Sequence, residues 1–160
     1  VYWSNEQHWE WATKPNDRER ASFLKENIVP IKESGQLQFI TVTENDIGET
    51  TTTPLSKNFS VKTANGHTRA MMLPVIKYND KTIVYMADLL PSVAHIPLPY
   101  VMGYDMFPLT TLNEKKIFLI EALENNYNLF FEHDPVNECC NLQMTEKGIR
   151  VKDVFKLNQI

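Results

Sequence analysis

The stretch at residues 63–92, "TANGHTRAMMLPVIKYNDKTIVYMADLLPS", decides the fold expected of this chain. It holds two short apolar runs, "AMMLPVIKY" and "KTIVYMA", on either side of Asn79-Asp80, a pair of residues typical of a tight hairpin turn. His67 comes before the first run, and Asp88 follows the second. The pattern predicts two paired strands with a histidine and an aspartate at their ends.

A second histidine follows a later apolar run, as His133 in "NLFFEHDP". Taken singly, His67 and His133 are explained by local hydrogen bonds, and Asp88 by a capping or turn role. Strand ends on one edge of a sheet are neighbours even when the sequence separates them. Because imidazole and carboxylate are suitable ligands for zinc, manganese or iron, the three residues together predict a metal-binding edge.

The composition is that of one ordinary globular domain, which we place at residues 1–160. Hydrophobic residues make up 42 % of the chain and charged residues 22 %, unlike a disordered protein. The net charge of −4, with scattered Lys and Arg, argues against nucleic acid as a partner. No apolar stretch approaches the roughly 20 residues of a membrane-spanning helix, so we expect no membrane partner.

The two cysteines, Cys139 and Cys140, are adjacent. Neighbouring residues on a strand point to opposite faces, so geometry disfavours a disulfide between them. Two thiols without a disulfide framework predict a reducing compartment, and we expect the protein in the cytoplasm. The sequence opens on "VYWSNEQHW" without an initiator Met, so the sequence does not decide whether a targeting segment lies upstream.

The first third of the chain is predicted to be mainly helical. Ser4, with Gln7 three residues later, has the spacing of a capping box for a first helix. A second helix is expected over residues 14–35 and is interrupted by Pro30. A half-buried strand at 36–42 follows, and then a polar surface loop at 43–58 with a short strand at its edge.

After residue 58 the sequence alternates strands with one long helix. That helix, residues 111–126, is expected to bury Ile117, Ile120, Ala122 and Leu123, with Glu121 and Glu124 on its polar side. Strands are expected at 59–64, 70–78, 81–87 and 127–134, and a hairpin over 139–155 turning at Lys147-Gly148.

This order predicts an α/β layered fold: an antiparallel-rich mixed sheet with helices packed on one face. The opposite sheet face, bearing Met71, Leu73 and Val84 or their alternates, is expected to need a cover that these helices do not supply. The proline-rich segment after Asp88 is expected to be an irregular connection that crosses near the strand ends.

The run "NGHTRAMMLPVIKYNDKTIVYMADLLPSVAHI", the helix after it and "LFFEHDP" together resemble the second half of a metallo-β-lactamase-fold hydrolase, close to the lactonase-like and phosphotriesterase-like branch. The resemblance implies half of an αββα sandwich. It also implies a metal site in which His67 joins the H-x-H pair on the first metal. Asp88 would then bridge two metals, and His133 would bind the second. We therefore expect any pair of the three within about 12 Å.

The family's H-x-H-x-D-H motif lies upstream of the segment that this chain resembles. His8 stands alone, without an H-x-H partner, and its helix placement does not fit the motif. The resemblance therefore implies that four ligands and the first half of the fold lie outside this sequence. We expect the chain to be a C-terminal fragment of a larger enzyme.

The activity that the resemblance implies is hydrolysis of an ester, lactone, amide or phosphoester by water activated between two divalent metals, zinc or alternatively iron or manganese. Asp88 would have the catalytic role of holding both metals and orienting the nucleophile. Residues of the following segment either line a substrate pocket or pack a loop: His95, Tyr100, Tyr104 and Asp105. Asp134 would be a hydrogen-bonding partner of His133.

Two function classes stay open at this point. In the first, the chain is half of a hydrolase for a small-molecule substrate and is inactive alone. Its partner would be the missing N-terminal half, or a second copy bound through the exposed sheet face. In the second, it is a non-catalytic binding or scaffold module that keeps a vestigial half metal site.

Overall fold

The computed structural model describes residues 1–42 and 47–160, so the start of the predicted 43–58 loop lies outside the described residues. The chain contacts group into two compact units, residues 1–42 and 43–160, and each is described separately. The single domain expected over 1–160 stays a prediction.

The first unit contains two short strands and two helices: β1 Tyr2–Ser4, α1 Glu6–Thr13, α2 Lys25–Glu33 and β2 Leu37–Phe39. β1 and β2 pair in parallel, and Ser4 lies opposite Phe39. The N-cap of α1 is therefore Asn5, whose side chain accepts a hydrogen bond from His8 N at 2.8 Å. The capping box expected at Ser4 is wrong because Ser4 belongs to the strand.

The second helix is shorter than the sequence pattern predicts. Residues 17–22 form turns, which begin where Asn16 Oδ1 accepts the N–H groups of Arg18 and Glu19. α2 begins only at Lys25, and it runs through Pro30 instead of being interrupted there. In so short a helix a proline removes a single backbone hydrogen bond.

The second unit is built on a seven-stranded mixed sheet, in the order of the chain and with every neighbouring pair antiparallel except β6 and β7. This confirms the predicted antiparallel-rich mixed sheet. Its strands are β3 Thr51–Thr52, β4 Phe59–Ala64, β5 Met71–Tyr78, β6 Lys81–Tyr85, β7 Asn128–Phe130, β8 Cys139–Thr145 and β9 Gly148–Phe155.

The two predicted hairpins are both present. Asn79 and Asp80 have φ values of 48° and 60°, the left-handed conformation that a two-residue hairpin turn requires. In the later hairpin Thr145 pairs with Gly148, so the turn is one residue earlier than predicted. Gly148 has φ 88° where β9 begins, a conformation that glycine adopts without strain.

A long helix, α3, covers one face of the sheet and spans Pro108–Glu124. Phe118, Leu119 and Ala122 are at most 2 % exposed and pack in the core with Leu73 and Val84. The predicted apolar stripe is wrong in two members, since Ile117 and Ile120 are 39 % and 44 % exposed. The helix instead buries Thr111, Glu114 and Lys115 on its inner face.

The register assigns the strand residues to two faces. Met71, Leu73 and Val84 lie under α3, so their alternates form the second face. On that second face the rings of Tyr85 and Phe130 meet edge to face, with centroids 5.5 Å apart. Other apolar members include Phe59, Val61, Met72, Pro74, Ile76 and Ile83. The expectation that this face lies bare is wrong at Val61 and Ile83, which are 2 % and 7 % exposed. Among the described residues, no helix combines the length and apolar character needed to cross a membrane.

Candidate functional site

His67 lies on the turn between β4 and β5, residues 65–70, which we call the His67 turn. Asn65 Oδ1 accepts the N–H of Ala70 at 3.0 Å and so closes the turn on itself. Gly66 packs directly on α3: a Cβ added there would lie closer than 3.0 Å to the backbone of Thr111. The sequence therefore holds the ring of His67 at the edge of the sheet through a close backbone contact that only glycine allows.

Asp88 follows β6 at the same edge. Ala87, just before it, has φ 42°, a conformation that costs a non-glycine residue roughly 1 kcal/mol or more. The N–H of Leu89 donates to Met86 O at 3.1 Å, which tightens the turn around the aspartate.

His133 reaches this edge because β6 and β7 are parallel, so both strands end on the same side of the sheet. Its backbone N–H donates to Pro91 O at 3.2 Å, which ties the segment after β7 to the segment after β6. A parallel pair needs a long crossover, and here the crossover contains α3.

The three side chains form one row, which we call the His–Asp–His row. His67 Nε2 lies 3.4 Å from Asp88 Oδ2, and His133 Nε2 lies 3.4 Å from Asp88 Oδ1. Each carboxylate oxygen thus faces one imidazole. The exposed fractions are 20 % for His67, 27 % for Asp88 and 56 % for His133, so the row is reachable from solvent.

Asp105 is the buried partner of His67. Its Oδ1 lies 2.9 Å from His67 Nδ1, and its side chain is 1 % exposed. This contact favours the tautomer in which Nδ1–H donates to Asp105 and Nε2 keeps its lone pair for a ligand. Among the described residues, Asp105 Oδ2 is buried without a hydrogen-bond partner. Asp105 therefore contacts the candidate metal ligand His67, and its expected roles in a substrate pocket or in loop packing stay predictions.

The backbone fixes this pair in register. The N–H of Met106 donates to His67 O at 3.1 Å, and the N–H of Phe107 donates to Gly66 O at 2.8 Å. The segment that carries Asp105 therefore runs alongside the His67 turn.

Tyr100 and Tyr104, considered as pocket residues, point largely into solvent. Tyr104 is 82 % exposed and Tyr100 is 60 % exposed. His95 is half-buried at the end of a short 3-10 helix, Val93–His95, where its Nδ1 lies 3.0 Å from Ser92 Oγ. Burial first, and then the nearby Lys115 ammonium, lower the pKa of His95.

Asp134 organises its own loop. Its carboxylate accepts the N–H groups of Val93, Val136 and Asn137 at 3.1, 3.0 and 2.8 Å. Burial opposes ionisation, but these hydrogen bonds outweigh it and hold the pKa of Asp134 below its usual value. Within residues 1–42 and 47–160 no bond joins this carboxylate to the His133 ring, so the pairing expected from the sequence is not formed.

Two buried charges on α3 were not identified from the sequence. Glu114 Oε1 accepts the N–H of Asn65 at 2.7 Å, and Oε2 accepts that of Gly66 at 3.0 Å. Lys115 donates to the carbonyl oxygens of Pro97, Leu98 and Tyr100. Burial raises the pKa of Glu114 and lowers that of Lys115 to about 8. The sequence carries one signal of their burial. Glu114 and Lys115 lie four residues before Phe118 and Leu119, so each pair shares one face of the helix.

The donor set of the row fits divalent cations, because it combines imidazole nitrogens with a carboxylate whose two oxygens each face an imidazole. It is not a finished metal site. In the described part of the chain, no group of three or more His, Cys, Asp or Glu side chains is arranged to hold an ion. His67 and His133 face different oxygens of Asp88, so the three do not surround one common centre.

Comparison with known proteins gives matches among solved structures. No protein-family model and no curated protein matches this chain. A probable metal-dependent hydrolase from Staphylococcus aureus aligns with a TM-score of 0.79 at 18 % identity, over 97 % of this chain and 51 % of its own. The hydrolase AbOPH of the beta-lactamase superfamily gives 0.73 at 15 % identity, over 96 % and 55 %.

AidC, a dizinc quorum-quenching lactonase in complex with the product N-hexanoyl-L-homoserine, gives a TM-score of 0.69 at 16 % identity, over 96 % of this chain and 55 % of its own. The chain thus spans about half the length of the solved structures it matches. At these identities the likeness establishes the fold alone, which this chain shares with about half of each of these solved structures. This confirms the predicted fold class and is consistent with a C-terminal half.

Proposed function

We propose that this chain carries one half of a binuclear metal site in a hydrolase of small-molecule substrates, with His67, Asp88 and His133 as ligands. One observation carries the proposal: a single carboxylate lies between two imidazoles and presents one oxygen to each, at 3.4 Å in both cases. A carboxylate that bridges two metals has this arrangement of neighbours.

The roles of the residues follow from their contacts. Asp105 orients His67 by accepting its Nδ1–H, which leaves Nε2 directed at Asp88. Asp134 holds together the segments that follow β6 and β7, and with them the position of His133. Bound divalent cations, zinc or alternatively iron or manganese, would lower the pKa of coordinated water and polarise the scissile carbonyl or phosphoryl group.

The substrate class we propose is an ester, lactone or phosphoester. AidC and an N-acyl homoserine lactone hydrolase are described with the product N-hexanoyl-L-homoserine bound, in the latter at the catalytic metal centre. These are properties of those proteins, and they support rather than establish a lactone substrate here.

The partner we propose is the other half of the fold, which would supply the remaining metal ligands and pack against the half-buried residues of the second sheet face. Those residues include Pro74, Tyr85 and Phe130. Two adjacent free cysteines support a cytoplasmic location, because neither is joined in a disulfide.

The proposal is tested by zinc titration of the purified chain against a chromophoric chelator. We expect zinc to bind, and we expect His67→Ala, Asp88→Asn and His133→Ala each to weaken binding by on the order of 100-fold, since each removes a ligand. His8→Ala, which removes a histidine of the first unit, is the matched control and leaves the affinity unchanged. Zinc binding that is equal in all four variants would contradict the assignment.

We also expect the chain alone to hydrolyse neither lactones nor phosphotriesters at a measurable rate. A reactive metal-bound hydroxide needs a cation held by several fixed ligands, and the row supplies only three side chains. The measurement is turnover of an acyl homoserine lactone and a chromogenic phosphotriester by the zinc-loaded chain. Activity that disappears in His67→Ala would show that the row suffices.

The competing class is a non-catalytic binding or scaffold module. Its supporting observation is that no complete metal-ion arrangement exists within the described residues. The zinc titration separates the two classes, because a vestigial site would bind no zinc through His67, Asp88 and His133.

A further inference from the structure

A carboxylate buried inside the fold is bonded entirely to the turn that carries His67. Glu114, on the inner face of α3, is 7 % exposed. Its two oxygens accept two consecutive backbone N–H groups, those of Asn65 and Gly66, at 2.7 and 3.0 Å. Hydrogen bonds to an ionised acceptor are shorter and stronger than neutral ones, so this pair fixes the backbone directly before His67.

The His67 turn receives bonds from outside the sheet. The ladder between β4 and β5 ends at the pair Ala64 and Met71, so residues 65–70 lie beyond it. Inside the turn, Asn65 Oδ1 accepts the N–H of Ala70. From outside, the segment after Asp105 donates to the carbonyls of Gly66 and His67, and Glu114 accepts the N–H groups on the other side.

The helix that carries Glu114, α3, is held in place by its packing on both sides of this residue. One turn further along, Phe118 is fully buried in the core of the sheet, and Leu119 is 2 % exposed. At the preceding turn, Thr111 lies in close contact with Gly66. Because α3 is packed in the core, the hydrogen bonds of Glu114 hold the backbone of the His67 turn at a fixed place relative to the helix.

We infer that Glu114 is a positioning residue of the candidate metal site: it holds the His67 turn so that His67 Nε2 faces Asp88. This rests on the proposed function, since the role requires His67 to be a metal ligand. The hydrogen bonds of Glu114 that the described residues show go to the backbone of Asn65 and Gly66, so Glu114 would act on the row through that backbone. Asp105 fixes the orientation of the ring, and Glu114 fixes the place from which the ring extends.

The test is Glu114→Gln in the full 160-residue chain, with zinc itself as the probe. Glutamine keeps the size of the side chain but places an amide NH₂ against one of the two backbone donors, so one hydrogen bond is lost. We expect zinc affinity to fall about tenfold, the scale found for residues that support a ligand. In the metal-free chain we expect the amide resonances of Asn65 and Gly66 and the ring resonances of His67 to shift.

Glu121→Gln is the matched control, because it neutralises another partly buried glutamate of α3 that has no contact with the His67 turn among the described residues. It should lower stability while leaving zinc affinity and the His67 resonances unchanged, which separates positioning from general destabilisation. Glu114→Gln with wild-type zinc affinity, or with unmoved His67 resonances, overturns the inference alone. A wild-type chain that binds no zinc overturns the proposed function, and the inference with it.

Discussion

Replacing Glu121 by glutamine is expected to lower the free energy of unfolding by about 3 kcal/mol, because it leaves a buried ammonium without its counter-charge. Lys62, in β4, has a side chain that is 0 % exposed under α3. Its Nζ lies 2.9 Å from Glu121 Oε2 and donates to Ile47 O at 3.0 Å and Gly48 O at 3.3 Å. Tyr127 OH donates to the other carboxylate oxygen at 2.9 Å, a bond that glutamine can keep.

The measurement is chemical denaturation of Glu121→Gln beside Glu124→Gln, an exposed glutamate on the next turn of the same helix. We expect the control to change stability by less than about 0.5 kcal/mol. The double variant Lys62→Met with Glu121→Gln should recover much of the loss, because it removes the unpaired charge. A loss below about 1 kcal/mol in the single variant would mean that the carbonyl groups alone satisfy Lys62.

Gly66→Ala is expected to cost about 3 kcal/mol, at the upper end for overpacking, because two of the three atoms it crowds belong to the backbone of Thr111, which cannot rotate away as a side chain can. The new methyl group would lie closer than 3.0 Å to the N and Cα atoms of Thr111. Either α3 or the His67 turn must shift, so zinc affinity should fall as well.

Gly103→Ala is the matched control for Gly66→Ala, since a Cβ at Gly103 would meet nothing within 4 Å. Denaturation and zinc titration of both variants test the expectation. If Gly66→Ala unfolds at the wild-type denaturant midpoint, the close packing between the turn and α3 is wrong.

Much of the sheet could be read from the sequence, because its signals are local. Asn79-Asp80 between two apolar runs specifies a hairpin, and the structure has that hairpin. His67, Asp88 and His133 could be grouped because each lies just beyond a strand, and strand ends meet at an edge. Their roles as ligands stay predictions.

The errors come from places where tertiary contacts override local pattern. Glu114 and Lys115 look like solvent-facing residues, and their burial rotates the inner face of α3 away from Ile117 and Ile120. Their partners are backbone groups of distant turns, which a periodicity cannot reveal. Ser4 has the spacing of a cap, but pairing with β2 takes it into a strand. Asp105 approaches His67 from an irregular segment, where sequence gives no direction to a side chain.

The parallel pair β6–β7 has a consequence for how the sheet opens. It joins two blocks of antiparallel strands, β3 to β6 and β7 to β9, through three residue pairs. His67 and Asp88 belong to the first block and His133 to the second, so separating the blocks at this seam also breaks the row. Occupancy of the row and closure of the seam are therefore thermodynamically linked. A ligand that binds both Asp88 and His133 therefore stabilises the contact between the two blocks. Slower hydrogen exchange of the β7 amides on ligand binding would show this stabilisation.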